Sequence, residues 1–159
     1  MSNIGDMGSR SLKTVKAVMS VAAGLMALLM TACTLETSEN GELDGYWQME
    51  RIDTLATGGW QDMKLARRFW AVEVRLLQVQ DLTWQHDTYL LRFEHRGDSL
   101  LLSDPYRKNQ GGADEPVSDP SQLAPYGIER LDARFLIEQL DDDALVLKDE
   151  TLRVKLRRY

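Results

Sequence analysis

Residues 152–158 read Leu-Arg-Val-Lys-Leu-Arg-Arg, with Leu152, Val154 and Leu156 alternating against Arg153, Lys155 and Arg157. Successive side chains of an extended strand point to opposite faces, so this pattern fits a strand with one buried face and one in water. A helix would scatter the same residues around its circumference. Alternation of this kind, broken by turn residues, recurs seven times along the chain and predicts an all-β domain.

The first strand is expected at residues 45–53 and the second at 69–80. The second places Trp70, Val72, Val74 and Leu76 on one face and Glu73 and Arg75 on the other. Leu77 and Val79 reverse the parity, which predicts a bulge near Leu76 and Leu77. Residues 86–95 form the third strand, Gly97-Asp98 turns it, and 99–103 form the fourth, completing an antiparallel meander. The last three strands are expected at 134–140, 144–148 and 151–158, joined as hairpins by Asp141-Asp142-Asp143 and Asp149-Glu150. Residues 61–68 read as a short helix with Met63 and Leu65 partly buried. Residues 104–130 form a long connection that holds all four prolines and a helical turn at 121–124. Connections of this length within a domain tend to be functional or mobile. Seven or eight strands must cover an apolar face, and closure into an antiparallel barrel does so without leaving open edges. A sandwich is the alternative.

The N-terminal segment speaks to compartment. Arg10, Lys13 and Lys16 precede a 16-residue uncharged run, Ala17 to Ala32. That is shorter than the roughly 20 residues a membrane-spanning helix needs, and its order of basic, apolar and small residues is that of a signal peptide. Leu29-Met30-Thr31-Ala32-Cys33 resembles a bacterial lipobox, in which the cysteine is acylated and becomes the mature N-terminus. The resemblance implies a lipoprotein signal peptide at 1–32 and a lipidated Cys33. It also implies attachment to the cell envelope, at the outer membrane of a Gram-negative bacterium. Residues 33–43, polar apart from two leucines, are expected as a flexible tether, with the domain at 44–159.

Cys33 is the one cysteine, so the exported domain has no thiol for a disulfide or a metal. Removing 1–32 takes away three basic residues and Asp6, moving the net charge from −6 to −8. An acidic domain argues against nucleic acid as a partner.

Gly45-Tyr46-Trp47 resembles the Gly-x-Trp signature of lipocalins and related barrels. Together with Phe69-Trp70-Ala71-Val72, Leu90-Leu91-Arg92-Phe93-Glu94 and Leu123-Ala124-Pro125-Tyr126-Gly127-Ile128, it makes the chain similar to lipocalin-like lipoproteins of uncharacterised function from Bacteroidetes envelopes. The resemblance implies a lipocalin-like barrel in which Trp47 plugs one end and Arg158 or Arg153 packs over its ring. In such a barrel Trp47, Met49, Trp70, Val72, Val74, Tyr89, Leu91, Phe93, Phe135, Ile137, Val154 and Leu156 point inward. Trp47, Trp70, Tyr89 and Phe93 are the candidates to line a site for a small apolar or amphipathic ligand. A core filled by side chains is the alternative outcome. The alternative function is a protein-interaction module, an inhibitor or a subunit of an envelope complex, using the long connection with Trp60 or Trp84.

No Gly-x-Ser-x-Gly elbow, Gly-rich phosphate loop or cysteine nucleophile occurs, so no catalytic residue, cofactor or enzymatic activity is expected. His86 and His95 are nine residues apart on one expected strand, about 30 Å at roughly 3.3 Å per residue, too far to share a metal. Asp141 to Asp143 lack the alternating spacing of a calcium loop, and Asp104, Asp114, Glu115 and Asp119 read as ordinary loop acids. The basic stripe Arg153, Lys155, Arg157 and Arg158 is expected to pair across strands with Glu50, Glu73 or Glu94.

Overall fold

A computed structural model describes residues 38–159. The leader at 1–32, Cys33 and the first part of the tether lie outside the described residues. The strands are β1 (Gly45–Thr54), β2 (Gly59–Asp62), β3 (Arg68–Glu73), β4 (Leu76–Asp81), β5 (Tyr89–Arg96), β6 (Ser99–Arg107), β7 (Glu115–Pro116), β8 (Ala133–Leu140), β9 (Ala144–Lys148) and β10 (Leu152–Arg158). Helical structure among the described residues is limited to 3-10 turns at Gly41–Leu43, Lys64–Ala66, Pro120–Gln122 and Ala124–Tyr126.

Antiparallel pairing runs β1-β3-β4-β5-β6-β8-β9-β10, and β10 returns to β1 through pairs from Trp47 with Arg158 to Thr54 with Leu152. The eight strands form a closed barrel, so none of them is left as an edge. β2 continues the edge of β1 beyond β3, and β7 pairs the end of β6. Single-residue register shifts at Glu50, opposite Leu91 and at Glu138 bend the strands where closure requires extra twist. One end of the barrel carries Gly45, three tight hairpin turns and Arg158; the other, the mouth, carries the β4–β5 loop and the connection from β7 to β8.

The alternation predicts the inward faces well. Trp47, Met49, Trp70, Val72, Tyr89, Leu91, Phe93, Phe135, Val154 and Leu156 are all buried, and Ile137 packs partly buried against them. Val74 departs from this set. Residues 69–80 are two strands, β3 and β4, joined by the two-residue turn Val74-Arg75, where a bulge was expected. The reversal restores Leu77 and Val79 to the interior and leaves Leu76 half-exposed on the outside. Val74 has φ +54°, a conformation a β-branched residue rarely adopts, so no ordinary turn residue marks the site. The Asn40 side chain donates to its carbonyl at 2.8 Å and holds the turn.

Other boundaries also move. Residues 61–68 are not one helix: they begin in β2, and only Lys64–Ala66 turns helically, with Met63 buried and Leu65 93% exposed. His86 lies in a loop, because β5 starts at Tyr89, and β6 runs on to Arg107. The expected tether ends before its last residues. Leu43 is fully buried and Gly41–Leu43 forms a turn under the barrel, so the domain starts earlier than Asp44. Burying a leucine side chain stabilises by about 1.5–3 kcal/mol, which offsets the ordering of this short turn.

Candidate functional site at the barrel mouth

The end opposite the mouth is sealed. Trp47 is fully buried, and its indole N–H donates to the Leu43 carbonyl at 2.9 Å. The guanidinium carbon of Arg158 lies 4.3 Å from the Trp47 ring centroid. Its nitrogens donate to the carbonyls of Asp44 (2.8 Å), Glu42 (2.6 Å) and Asp142 (2.6 Å). Of the two arginines proposed for this role, Arg158 fills it; Arg153 sits outside on Glu138. Gly45 has φ +140°, and a Cβ there would lie 2.5 Å from Arg158 Nη1, so glycine is required for the guanidinium to approach.

The mouth has a different chemistry. Along β3 the inward parity of Val72 and Trp70 continues to Arg68, and along β4 that of Leu77 and Val79 continues to Asp81. These two charged residues are register partners and make an ion pair at 3.5 Å. Asp81 is the one charged or polar residue buried among the described residues. Its Oδ1 accepts from the Thr83 amide (2.7 Å) and hydroxyl (2.5 Å), so the carboxylate is satisfied in spite of its burial. A buried ion pair costs desolvation that its attraction rarely exceeds, so this one is a poor device for stability alone.

No strand covers the pair. It is covered by the long connection, whose Val117, Leu123, Tyr126 and Ile128 are buried. Arg68 Nη1 donates to the Pro125 carbonyl at 2.9 Å, and the Trp70 indole N–H donates to the Tyr126 carbonyl at 3.2 Å. The Tyr126 hydroxyl donates to the Asp87 carbonyl at 2.6 Å, and its ring meets Tyr89 edge-on at 6.0 Å. Burial, reinforced by the charge of Asp81, holds the Tyr126 phenol well above its ordinary pKa. Tyr89 is raised by burial too. Gly127 follows at φ +74°, where a Cβ would lie 2.7 Å from Val154, so this part of the connection, residues 117–128, plugs the mouth with its backbone packed directly on β10.

The four proposed lining residues are all inward. Trp70 and Tyr89 lie against the plug, and Trp70 also meets Phe135 edge-on at 6.1 Å. Trp47 belongs to the opposite end and Phe93 lies toward it along β5. Cys33 is outside the described residues. Arg68 and Asp81 escaped the sequence reading although the signal was present, as charged residues in phase with an apolar alternation.

Several charged groups elsewhere are engaged in pairs. Arg153 bonds Glu138, which is held below the usual carboxylate range by that contact. Arg157 bonds Glu50 and Gln48, and Lys155 lies near Asp53. Arg153, Lys155 and Arg157 of the stripe thus pair across strands, using Glu138 and Asp53 where Glu73 and Glu94 were expected, whereas Arg158 bonds backbone carbonyls at the sealed end. Asp104, Asp114, Glu115 and Asp119 do not converge. They engage Arg92, the Asn109 amide, Arg107 and the Ser121 amide respectively. Outside the barrel, an open groove of about 380 Å³ runs beside β8 where it outreaches β9, lined by Arg134, Leu136, Lys148 and an Arg130–Glu150 ion pair.

A closed eight-stranded barrel with a Gly-x-Trp start and an arginine over the tryptophan invites comparison with known barrels. The sequence profile of a family described as a lipocalin-like domain matches residues 28–159. The chain belongs to that family. Among solved structures, a lipocalin-like protein from Bacteroides uniformis ATCC 8492 is similar over 75% of this chain and 100% of its own, at 17% identity and a TM-score of 0.57. An uncharacterized protein from Bacteroides eggerthii DSM 20697 is similar over 73% and 98%, at 15% identity and a TM-score of 0.53. At these identities the likeness is one of fold. No curated protein matches the chain. In this chain the mouth of the lipocalin-like barrel carries Arg68, Asp81 and Trp70.

Proposed function

We propose that this lipocalin-like domain binds a small apolar or amphipathic molecule inside the barrel mouth, without enzymatic activity, while Cys33 carries the lipid that anchors the chain to the cell envelope. The observation that carries this reading is the satisfied polar pair Arg68–Asp81 within an apolar interior, covered by 3-10 turns. Binding sites of this kind are mostly apolar, with a few placed polar groups that orient the ligand. Tyr126 and Leu123 occupy the volume a ligand takes, and a plug of short turns can be displaced without breaking the barrel's ladders.

The test is titration of the purified full chain with a neutral fluorescent probe, N-phenyl-1-naphthylamine, following energy transfer from tryptophan. Saturable binding at one site per chain, weakened by Tyr89→Ala, supports the proposal; a linear, unsaturable response from both proteins refutes it. For the anchor, Cys33→Ser is expected to release the protein from the membrane fraction and abolish labelling by radioactive palmitate. Unchanged attachment overturns lipidation.

A second reading, protein docking at the mouth, draws on the exposed side chains Trp60, Leu65 and Trp84. Trp60 lies under the Arg51 guanidinium at 4.7 Å, and Trp84 is held at φ +61°, an unfavourable conformation for a bulky residue. A partner captured from native membranes and lost on Trp84→Ala with Trp60→Ala favours this reading over the ligand.

A further inference from the structure

The hairpin that follows β1 leaves one strand edge open. Among the described residues β2 pairs with β1 alone, and all four of its residues, Gly59 to Asp62, are exposed. The Met63 amide donates to the Glu50 carbonyl at 2.9 Å, which fixes the phase of the ladder. Bonded pairs alternate along an antiparallel ladder, so Gly59 and Gln61 turn their backbone groups to β1 while Trp60 and Asp62 turn theirs outward. Two N–H and two C=O groups therefore face away from the barrel. Edges of this kind are usually blunted by lysine, proline or a bulge, and β2 carries none of these.

The side chains say what fits there. Trp60 and Asp62 share the outer face with their register partners Asp53 and Arg51. Arg51 bonds Asp53 and lies over the Trp60 ring at 4.7 Å. The Asp62 carboxylate accepts from the Lys64 amide at 2.9 Å and pairs with no cation among the described residues. A second copy running antiparallel, with Gln61 on the twofold axis, sets Trp60 of each chain opposite Asp62 of the other. The outward groups then exchange four hydrogen bonds, and each Asp62 carboxylate stands on the same face as the other copy's Arg51 and Trp60. An isologous contact needs this self-complementarity. We infer that two copies of this chain associate through β2, joining their barrels by a continuous antiparallel sheet across Trp60 to Asp62. The contact is short, which makes the association a reversible one, and it does not depend on what the barrel holds.

The experiment uses the full chain carrying Cys33→Ser, kept soluble in amphipol, with one cysteine introduced by Gln61→Cys or by Thr57→Cys. Position 61 would oppose its own copy at a non-bonded pair, with Cα atoms about 4.5 Å apart and within disulfide range. Thr57, also exposed, would be held roughly 25 Å from its copy, eight residues out of register at about 3.3 Å each. Oxidation with copper phenanthroline, read on non-reducing gels, should crosslink Gln61→Cys about tenfold faster than Thr57→Cys. Adding Asp62→Lys sets a cation against Arg51 of the other copy and should lower that rate about tenfold. Asp62→Asn, which keeps an acceptor for the Lys64 amide, should lower it partway, and circular dichroism identifies the folded variants. Equal rates at the two positions mean association through some other surface and overturn the inference. A rate indifferent to both Asp62 variants also overturns it. Trapping of a different protein by Gln61→Cys in native membranes, in place of a second copy, overturns the choice of occupant.

Discussion

Replacing Gly45 by alanine tests the sealed end, because one methyl group should act through a residue 113 positions away. Gly45 has φ +140°, and the added Cβ would lie 2.5 Å from Arg158 Nη1. Two costs follow. The backbone conformation penalises an L side chain by about 2 kcal/mol. The guanidinium must also retreat, weakening its bonds to Asp44 and Glu42 and its stacking at 4.3 Å on Trp47, about 2 kcal/mol more for a group that keeps partial access to water. Gly45→Ala should therefore destabilise by about 4 kcal/mol and Arg158→Met by about 2 kcal/mol. With Arg158 gone, the methyl has nothing to displace, so the double variant should cost about 4 kcal/mol where additivity gives about 6. Urea unfolding followed by tryptophan emission measures all three, provided the m-value is unchanged. Additivity to within about 0.5 kcal/mol would refute the proposed clash and leave Gly45 as a matter of backbone alone.

Tyr126→Phe removes the bond to the Asp87 carbonyl and keeps the ring, so it should cost about 1 kcal/mol overall. It should also raise hydrogen exchange at Leu123, Tyr126 and Gly127 well before it does so in β3 or β10; a uniform rise would argue against a separately opening plug. Asp141 accepts from Gln139 and from the Asp143 and Ala144 amides, which hold its pKa below the ordinary value. A carboxylate depressed on folding contributes stability that is complete above the unfolded pKa of about 4 and is lost as pH falls through the lower folded value. Asp141→Asn should therefore lower stability at pH 7 and flatten its acid limb below about pH 4, read from urea midpoints across pH.

Period-two patterning makes most of the barrel wall legible, since a residue's face in a strand depends only on parity once the register is known. The same rule fails at Val74-Arg75. A turn built on a β-branched residue at positive φ carries no glycine, proline or asparagine to announce it, and a hairpin looks like a continuous strand with a shifted phase. The depth of the mouth was written in the alternation at Arg68 and Asp81, but charged residues are ordinarily read as outward, and their pairing at 3.5 Å, with the bonds from Thr83 to Asp81 and from Arg68 to the Pro125 carbonyl, makes an inward position tolerable. Leu43 was placed in the tether because an isolated leucine among polar residues has no local partner. Its partner is Trp47, whose indole bonds its carbonyl.

The amino-acid sequence by itself determines the class of fold, the inward faces of the strands and the Gly-x-Trp end, because these rest on local alternation and on contacts between neighbours in the barrel. Tertiary structure alone decides the plug. Trp70 and Tyr126 stand 56 positions apart, as do neither of their local patterns suggest, and the bond between them exists only because closure of the barrel brings β3 beneath the long connection. Arg158 over Trp47 is intermediate: the composition offers several arginines, and the pairing of β10 with β1 selects the one whose register sets it on the ring.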